Sequence, residues 1–259
     1  DYQAHLYLGT SSWLSCHVPF KKTDLFNNMA SLPSAVPGRY YIANEQECAG
    51  VCLTYLRDNV FFPDDALAVG AAPADAYQAF DRAAAQAPAG SGRVLFAPWL
   101  YGERTPVEDH TVRGGFFNLS LKTPREHLVR AVFEGVAFNT RWMFGHVERL
   151  AGRRLEPITM LGGGARSDVW CQIYADILGR TIHQAQDPLW ASARGAAFMA
   201  AVALGRLRFA EIPGRLRIAR VYRPNPEHRA LYAELFGEFV NLYHNNRRSY
   251  ARLNGAAAG

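Results

Sequence analysis

The chain has 259 residues, 49% of them hydrophobic and 20% charged, with a formal net charge of +5 at pH 7. That is the composition of an ordinary globular protein, long enough for one large domain or two small ones. It excludes a membrane-spanning helix, because no apolar run approaches about 20 residues, and the dispersed basic residues bring no RNA motif or basic recognition helix.

In chain order, three strands are predicted first: His5–Leu8, Trp13–Val18 and Arg39–Ala43, with Gly9-Thr10-Ser11-Ser12 turning between the first two. Glu47–Asn59 follows as a helix with Ala49, Cys52, Leu53 and Leu56 on one face, and Pro73–Gln86 as a second helix. Arg93–Trp99 reads as a short strand opening a polar loop from Tyr101 to about Gly115. The clearest helix begins at Thr123-Pro124-Arg125-Glu126, where Thr123 is placed to cap and Glu126 to complete a capping box. Its stripe runs through Leu128, Val132, Val136, Met143, Val147 and Leu150 to Gly152.

Next come a strand at Ile158–Leu161, a helix at Asp168–Leu178 stopped by Gly179, and a strand at Thr181–Gln184. Ser192–Leu204, rich in Ala and Gly, is expected to pack closely against a neighbour, and a last helix is expected from Pro226 to Arg247. Between them Arg206, Arg208, Arg215, Arg217, Arg220 and Arg223 alternate with apolar residues and read as a solvated arginine face. With no repeat and no long linker, residues 1–259 are read as one domain.

Cys16, Cys48, Cys52 and Cys171 form no CxxC pair, which suits reduced, buried thiols in a cytoplasmic protein. Cys48 and Cys52 stand one helical turn apart without further ligands at zinc spacing, so core packing is expected of them. The chain opens on Asp1 rather than Met, which suggests a piece of a longer protein.

Gly162-Gly163-Gly164-Ala165-Arg166-Ser167, between a strand and a helix, carries the strongest chemical signal. Glycines let backbone amides approach a bound group, and the helix start behind them favours phosphate. A dinucleotide enzyme would need an acidic residue about 20 positions on; none stands at 182–184, and Asp187 comes too late to sit at the strand tip.

Four motifs in this order resemble the C-terminal domain of the FGGY carbohydrate kinases: Leu8-Gly9-Thr10-Ser11-Ser12, Ala49-Gly50 with Tyr55-Leu56-Arg57-Asp58, Pro98–Pro106 running on through Arg113-Gly114-Gly115-Phe116 to Glu134-Gly135, and the glycine turn. The resemblance implies an α/β ribonuclease-H-like core of the actin, Hsp70 and hexokinase ATPase type, in the order β-β-β-α-β-α-β-α with helical insertions. It implies ATP as phosphoryl donor with Mg²⁺, a small sugar as acceptor, an N-terminal domain as partner across the cleft, and the option of a homodimer.

Carried over by residue, Thr10 and Ser11 lie in the turn that contacts phosphate, and Gly50 and Thr54 on the helix lining the nucleotide pocket. Gly163 and Gly164 lie against phosphates and ribose, and Asp168 beside the base. Asp168 also reads simply as a helix N-terminal carboxylate. Glu103 and Arg104 are read as ordering their loop by an internal ion pair or reaching toward the cleft. Asn118 stands where the family has Gly, and Asn tolerates unusual backbone angles. No carboxylate here matches the family's catalytic Asp, which precedes the matched region, and no metal ligands are assigned. The expected function is the ATP-binding half of a carbohydrate kinase, with motif texture closest to the family's xylulose kinases; a non-catalytic sugar or nucleotide sensor on the same fold is the alternative.

Overall fold

Alternating burial of Ala4, Leu6 and Leu8 makes β1 (Ala4–Leu8) a strand with one face in the core, in the computed structural model, which describes residues 1–68 and 70–255. β2 (Ser12–Ser15) returns antiparallel beside it, with Leu14 opposite Leu6. The single strand expected over Trp13–Val18 breaks at Cys16. Its second part, β3 (His17–Val18), joins a separate sheet with β4 (Thr23–Asp24), β5 (Met29–Pro33) and β6 (Tyr40–Ala43), in the order β3-β6-β5-β4. The third expected strand therefore still pairs with the second, through its far half.

The helix expected from Glu47 begins later, as α1 (Val51–Leu56), and runs into one π-helical turn at Arg57–Phe61. Residues 46–50 are held out of it by bonds to the first hairpin: Gln46 N donates to Ser12 O, Ala49 N to Thr10 O and Gly50 N to Gly9 O, each at 2.8 Å. α2 (Ala76–Gln86) starts three residues after Pro73. β7 (Leu95–Ala97) pairs with β8 (Gly115–Phe117), a strand too short to leave a periodic signal in the loop where it lies.

α3 (Arg125–Ala151) is buried on every side from Val129 to Thr140, rather than along one stripe. The predicted Thr123 cap is not made. Its hydroxyl accepts instead from Ser120 N at 3.0 Å, and the N-cap position falls to Pro124. The polar residues inside this buried stretch are paired. Glu134 accepts from Gly90 N at 2.9 Å and from Ser91 Oγ, Arg130 Nε and Tyr232 OH at 2.7 Å each. Gly135 lies so close to β7 that a Cβ there would stand 2.2 Å from Phe96 O.

The second half follows the expected order: β9 (Ile158–Leu161), α4 (Asp168–Leu178), β10 (Ile182–Ala185) and α5 (Ala191–Ala203). Inside the arginine-rich stretch lies β11 (Ile218–Tyr222), an unexpected edge strand antiparallel to β10. All six arginines there are exposed, as expected. Their alternation with apolar residues is the period of a strand. α6 (Arg229–Asn254) outlasts its predicted end by seven residues, and its Phe239 and Tyr243 meet Trp99 at ring distances of 5.3 and 5.8 Å.

The main sheet runs β11-β10-β9-β1-β2, with β1, β9 and β10 parallel and antiparallel strands at both edges. α3 packs against α2 and α4, and α6 crosses both α3 and α4. Because β1 and β9 run parallel in register, Leu6 beside Met160, their C-terminal ends open on one edge of the sheet. α5 departs from expectation: none of its thirteen residues is buried, so its close-packed neighbour is not among the described residues.

Candidate nucleotide-binding site

Two glycine turns meet at that edge. Gly9-Thr10-Ser11 leaves the end of β1, and Gly162-Gly163-Gly164 leaves the end of β9. Gly162 has φ +87° and sits against Leu8, where a Cβ would lie 2.6 Å from the Leu8 carbonyl oxygen. Gly50 closes the other side, its own Cβ position 2.6 Å from Gly9 O. Backbone thus approaches backbone on both flanks of the first hairpin, which only glycine permits.

These turns present donors. Thr10 O accepts from Ala49 N and Val51 N, while the N–H groups of Thr10 and Ser11 donate to nothing among the described residues. Gly163 and Gly164 open a 3₁₀ turn, Gly163–Arg166, whose first N–H groups have no acceptor within it. Clustered backbone N–H groups of this kind suit an anion. The two glycines differ in their Cα environment. A Cβ on exposed Gly163 would meet nothing nearer than Leu189 Cδ1 at 3.9 Å, whereas one on Gly164 would stand 2.5 Å from Leu8 Cδ2 and 3.1 Å from Trp170 Cζ3. Gly163 has room for a Cβ, and Gly164 packs.

Thr54 lies one turn along α1 from Gly50, and its hydroxyl shares a 2.9 Å hydrogen bond with Tyr77 OH on α2. Arg57 Nη1 also donates to Tyr77 OH, at 3.1 Å. One helical turn past Tyr77, Asp81 accepts from Ser167 Oγ at 2.6 Å, and Ser167 in turn caps α4 by accepting from Trp170 N. Burial raises the Asp81 pKa, with the Ser167 hydroxyl opposing. Tyr77 and Asp81 were not foreseen; their i, i+4 spacing on one helix face is the available signal, and it names no partner.

Asp168 stands in the first turn of α4, consistent with the helix-dipole reading, and it also bonds across the sheet. Its carboxylate pairs with Arg220 and accepts from Tyr222 OH at 2.7 Å and Gln184 Nε2 at 3.2 Å. β11, outside every sequence motif, thereby closes one side of the site.

Glu103 and Arg104 do not pair with each other. The Glu103 carboxyl is buried, accepting from Arg104 N at 2.7 Å, Glu47 N at 3.2 Å and Asn139 Nδ2, and burial pushes its pKa up to about 8. Arg104 bridges Glu45 at 2.7 Å and Glu47 at 3.1 Å. Both tie the loop to the segment leading into Gly50. Asn118 adopts φ +64°, the conformation foreseen for it, and its side chain donates to Arg93 O at 3.1 Å. Cys48 and Cys52 are core residues, 3% and 0% exposed.

A hairpin followed by parallel crossovers, with glycine turns at the strand ends, defines an α/β domain of the actin, Hsp70 and hexokinase type. The chain belongs to the FGGY family of carbohydrate kinases: residues 4–204 match the model of that family's C-terminal domain. A xylulose kinase of Staphylococcus epidermidis is 29% identical over 258 residues, covering 98% of this chain and 49% of that protein. A gluconokinase of Bacillus licheniformis is 28% identical over 205 residues, covering 79% and 40%. The crystal structure of a ligand-bound xylulose kinase from Lactobacillus acidophilus superposes with a TM-score of 0.83 at 27% identity, over 97% of this chain and 49% of the other. The chain spans about half the length of the curated relatives it matches.

Among the described residues no helix is long and apolar enough to cross a membrane, and no group of three or more His, Cys, Asp and Glu side chains could hold a metal ion.

Proposed function

We propose that this domain holds ATP for transfer of its γ-phosphoryl group to a sugar hydroxyl, with a ketopentose such as xylulose as the acceptor. The observation that carries the reading is the convergence of Gly9–Ser11, Gly50 and Gly162–Gly164 at one end of the parallel strands, where Gly50 and Gly162 let the turns pack backbone against backbone and leave the N–H groups of Thr10 and Ser11 without a partner among the described residues. The N–H groups of Thr10, Ser11, Gly163 and Gly164 would donate to phosphate oxygens and fix the chain of phosphates in line. Thr54, Tyr77, Asp81 and Asp168 would line the ribose and base side, where their hydroxyls and carboxylates give polar partners. Mg²⁺ would neutralise phosphate charge while held chiefly by ATP.

The base that takes the sugar hydroxyl proton, and most of the sugar contacts, belong in this reading to an N-terminal domain. α5 and its two ends support such a partner: Met199 on the helix and Trp190 and Leu204 flanking it are 39%, 64% and 74% exposed beside alanines that bury nothing. Without that partner the domain alone transfers nothing, and the working enzyme belongs in the cytoplasm, where its four buried thiols stay reduced. ATP consumption by the full-length protein, screened against xylulose, gluconate, glycerol and other polyols, tests this. Turnover of xylulose in preference to the others is expected; turnover of none would favour a sensing role.

A further inference from the structure

At the other end of the sheet, where α4 stops, β10 starts and β11 finishes, lies a cavity of about 700 Å³ lined by Arg141, Arg154, Arg180, Arg223 and Arg229, with Asp176. The lengths of β9 and β10 separate it from Gly162–Gly164. Some of its charge is satisfied. Glu148 holds Arg180 Nη2 at 2.9 and 2.8 Å, Glu156 holds Arg154 at 2.7 Å, and Asp176 accepts from Asn225 N and bonds His228 Nδ1 at 2.8 Å each.

The remainder is not. Among the described residues Arg141, Arg223 and Arg229 form no ion pair, so five guanidiniums face three carboxylates. Arg141 is fixed with its guanidinium 4.3 Å above the Phe236 ring and one nitrogen on Tyr232 O at 3.0 Å. Burial and the neighbouring Arg180 both lower its pKa, as expected of positive charge without a counterion. The Nε of Arg180 is buried and has no partner. Planar guanidinium forks held in this way match phosphate oxygens in pairs, and the volume is that of a metabolite site.

We infer that this cavity binds a small polyanion carrying at least two phosphate groups, independently of the nucleotide edge. Arg223 and Arg229 lie beyond residues 4–204, so part of its wall comes from outside the segment that matches the family. The inference rests on charge and geometry remote from the glycine turns, and it does not depend on the kinase reading.

Calorimetry with inorganic pyrophosphate, on the full-length protein saturated with ADP, is the test. One-site binding is expected, weakened at least about tenfold, which is ~1.4 kcal/mol, in Arg141→Met/Arg223→Gln, and stronger than binding of inorganic phosphate. ADP affinity should be the same in that variant, and pyrophosphate should still bind Gly163→Val. Arg223→Gln alone, at an exposed position, decides the matter if the double variant fails to fold. Absence of pyrophosphate binding, equal binding by the arginine variants, displacement by ADP, or phosphate binding as tightly as pyrophosphate would each overturn the inference.

Discussion

Two adjacent glycines in the same turn should respond to the same substitution with opposite signs. Replacing Gly164 by Ala places a methyl 2.5 and 2.6 Å from Leu8 Cδ2 and Cγ and 3.1 Å from Trp170 Cζ3. Carbon pairs prefer about 3.5–4.0 Å, so the overlap with Leu8 is close to an ångström. Leu8 is 0% and Trp170 2% exposed, which leaves neither a free direction in which to retreat. Overpacking of that kind costs about 1–3 kcal/mol, offset by the ~0.4–1 kcal/mol that Ala gains over Gly through the unfolded chain. The net loss is about 1–2 kcal/mol, a fall in Tm on the order of 2–8 °C for a chain of this size. At Gly163 the new methyl meets only Leu189 Cδ1, at an unstrained 3.9 Å, so only the gain remains, up to about 1 kcal/mol. Urea titrations of the two variants beside the parent measure both. Equal destabilisation by the two, or a neutral Gly164→Ala, would refute the division of this turn into a packing glycine and an open one.

Stability should also depend on pH through Glu103. Its carboxyl, raised from 4.5 to about 8 in the folded state, keeps a proton that the unfolded chain has released between those values. Unfolding in that window releases a proton, so stability is full below about pH 4.5 and falls as pH rises to 8, on the order of 5 kcal/mol in total. Glu103→Gln should flatten the slope in denaturant titrations at stepped pH, and an unchanged slope would contradict the assignment. Glu134→Ala strands the buried Arg130 guanidinium and cuts the link from α3 to Gly90, Ser91 and Tyr232; a loss of about 3–5 kcal/mol is expected by thermal or chemical unfolding, and a loss under 1 kcal/mol would show the network to be incidental.

Legibility in the sequence followed the kind of signal each element leaves. β1, β9, α4 and β10 stand within a residue or so of where alternation, glycine stops and apolar periodicity put them. β4, β8 and β11 escaped because short or edge strands are fixed by their partners rather than by their own pattern, and β5 because polar Ser31 takes one of its buried positions while Leu32 is exposed. β11 lies within the arginine and apolar alternation, but four of its five residues, Ile218 and Val221 among them, are exposed, so the pattern read equally well as a solvated face. Thr123 has capping chemistry, but a local turn with Ser120 took its hydroxyl first. At the site, the glycines were readable because close backbone approach demands them. The Ser167–Asp81 bond spans 86 residues, and the buried Glu103 carboxyl is met by Asn139 of α3, 36 residues on, so neither had a local trace.

The central claim is that the edge formed by Gly9–Ser11, Gly50 and Gly162–Gly164 holds the phosphates of a nucleotide. Calorimetric titration of ADP into the full-length protein and into Gly163→Val tests it most directly, because Gly163 is exposed and a Cβ there clashes with nothing in the core. Saturable ADP binding by the parent, lost or weakened at least about tenfold in the variant with Tm not lowered, is the predicted result. Undiminished ADP affinity in a folded Gly163→Val protein would contradict it.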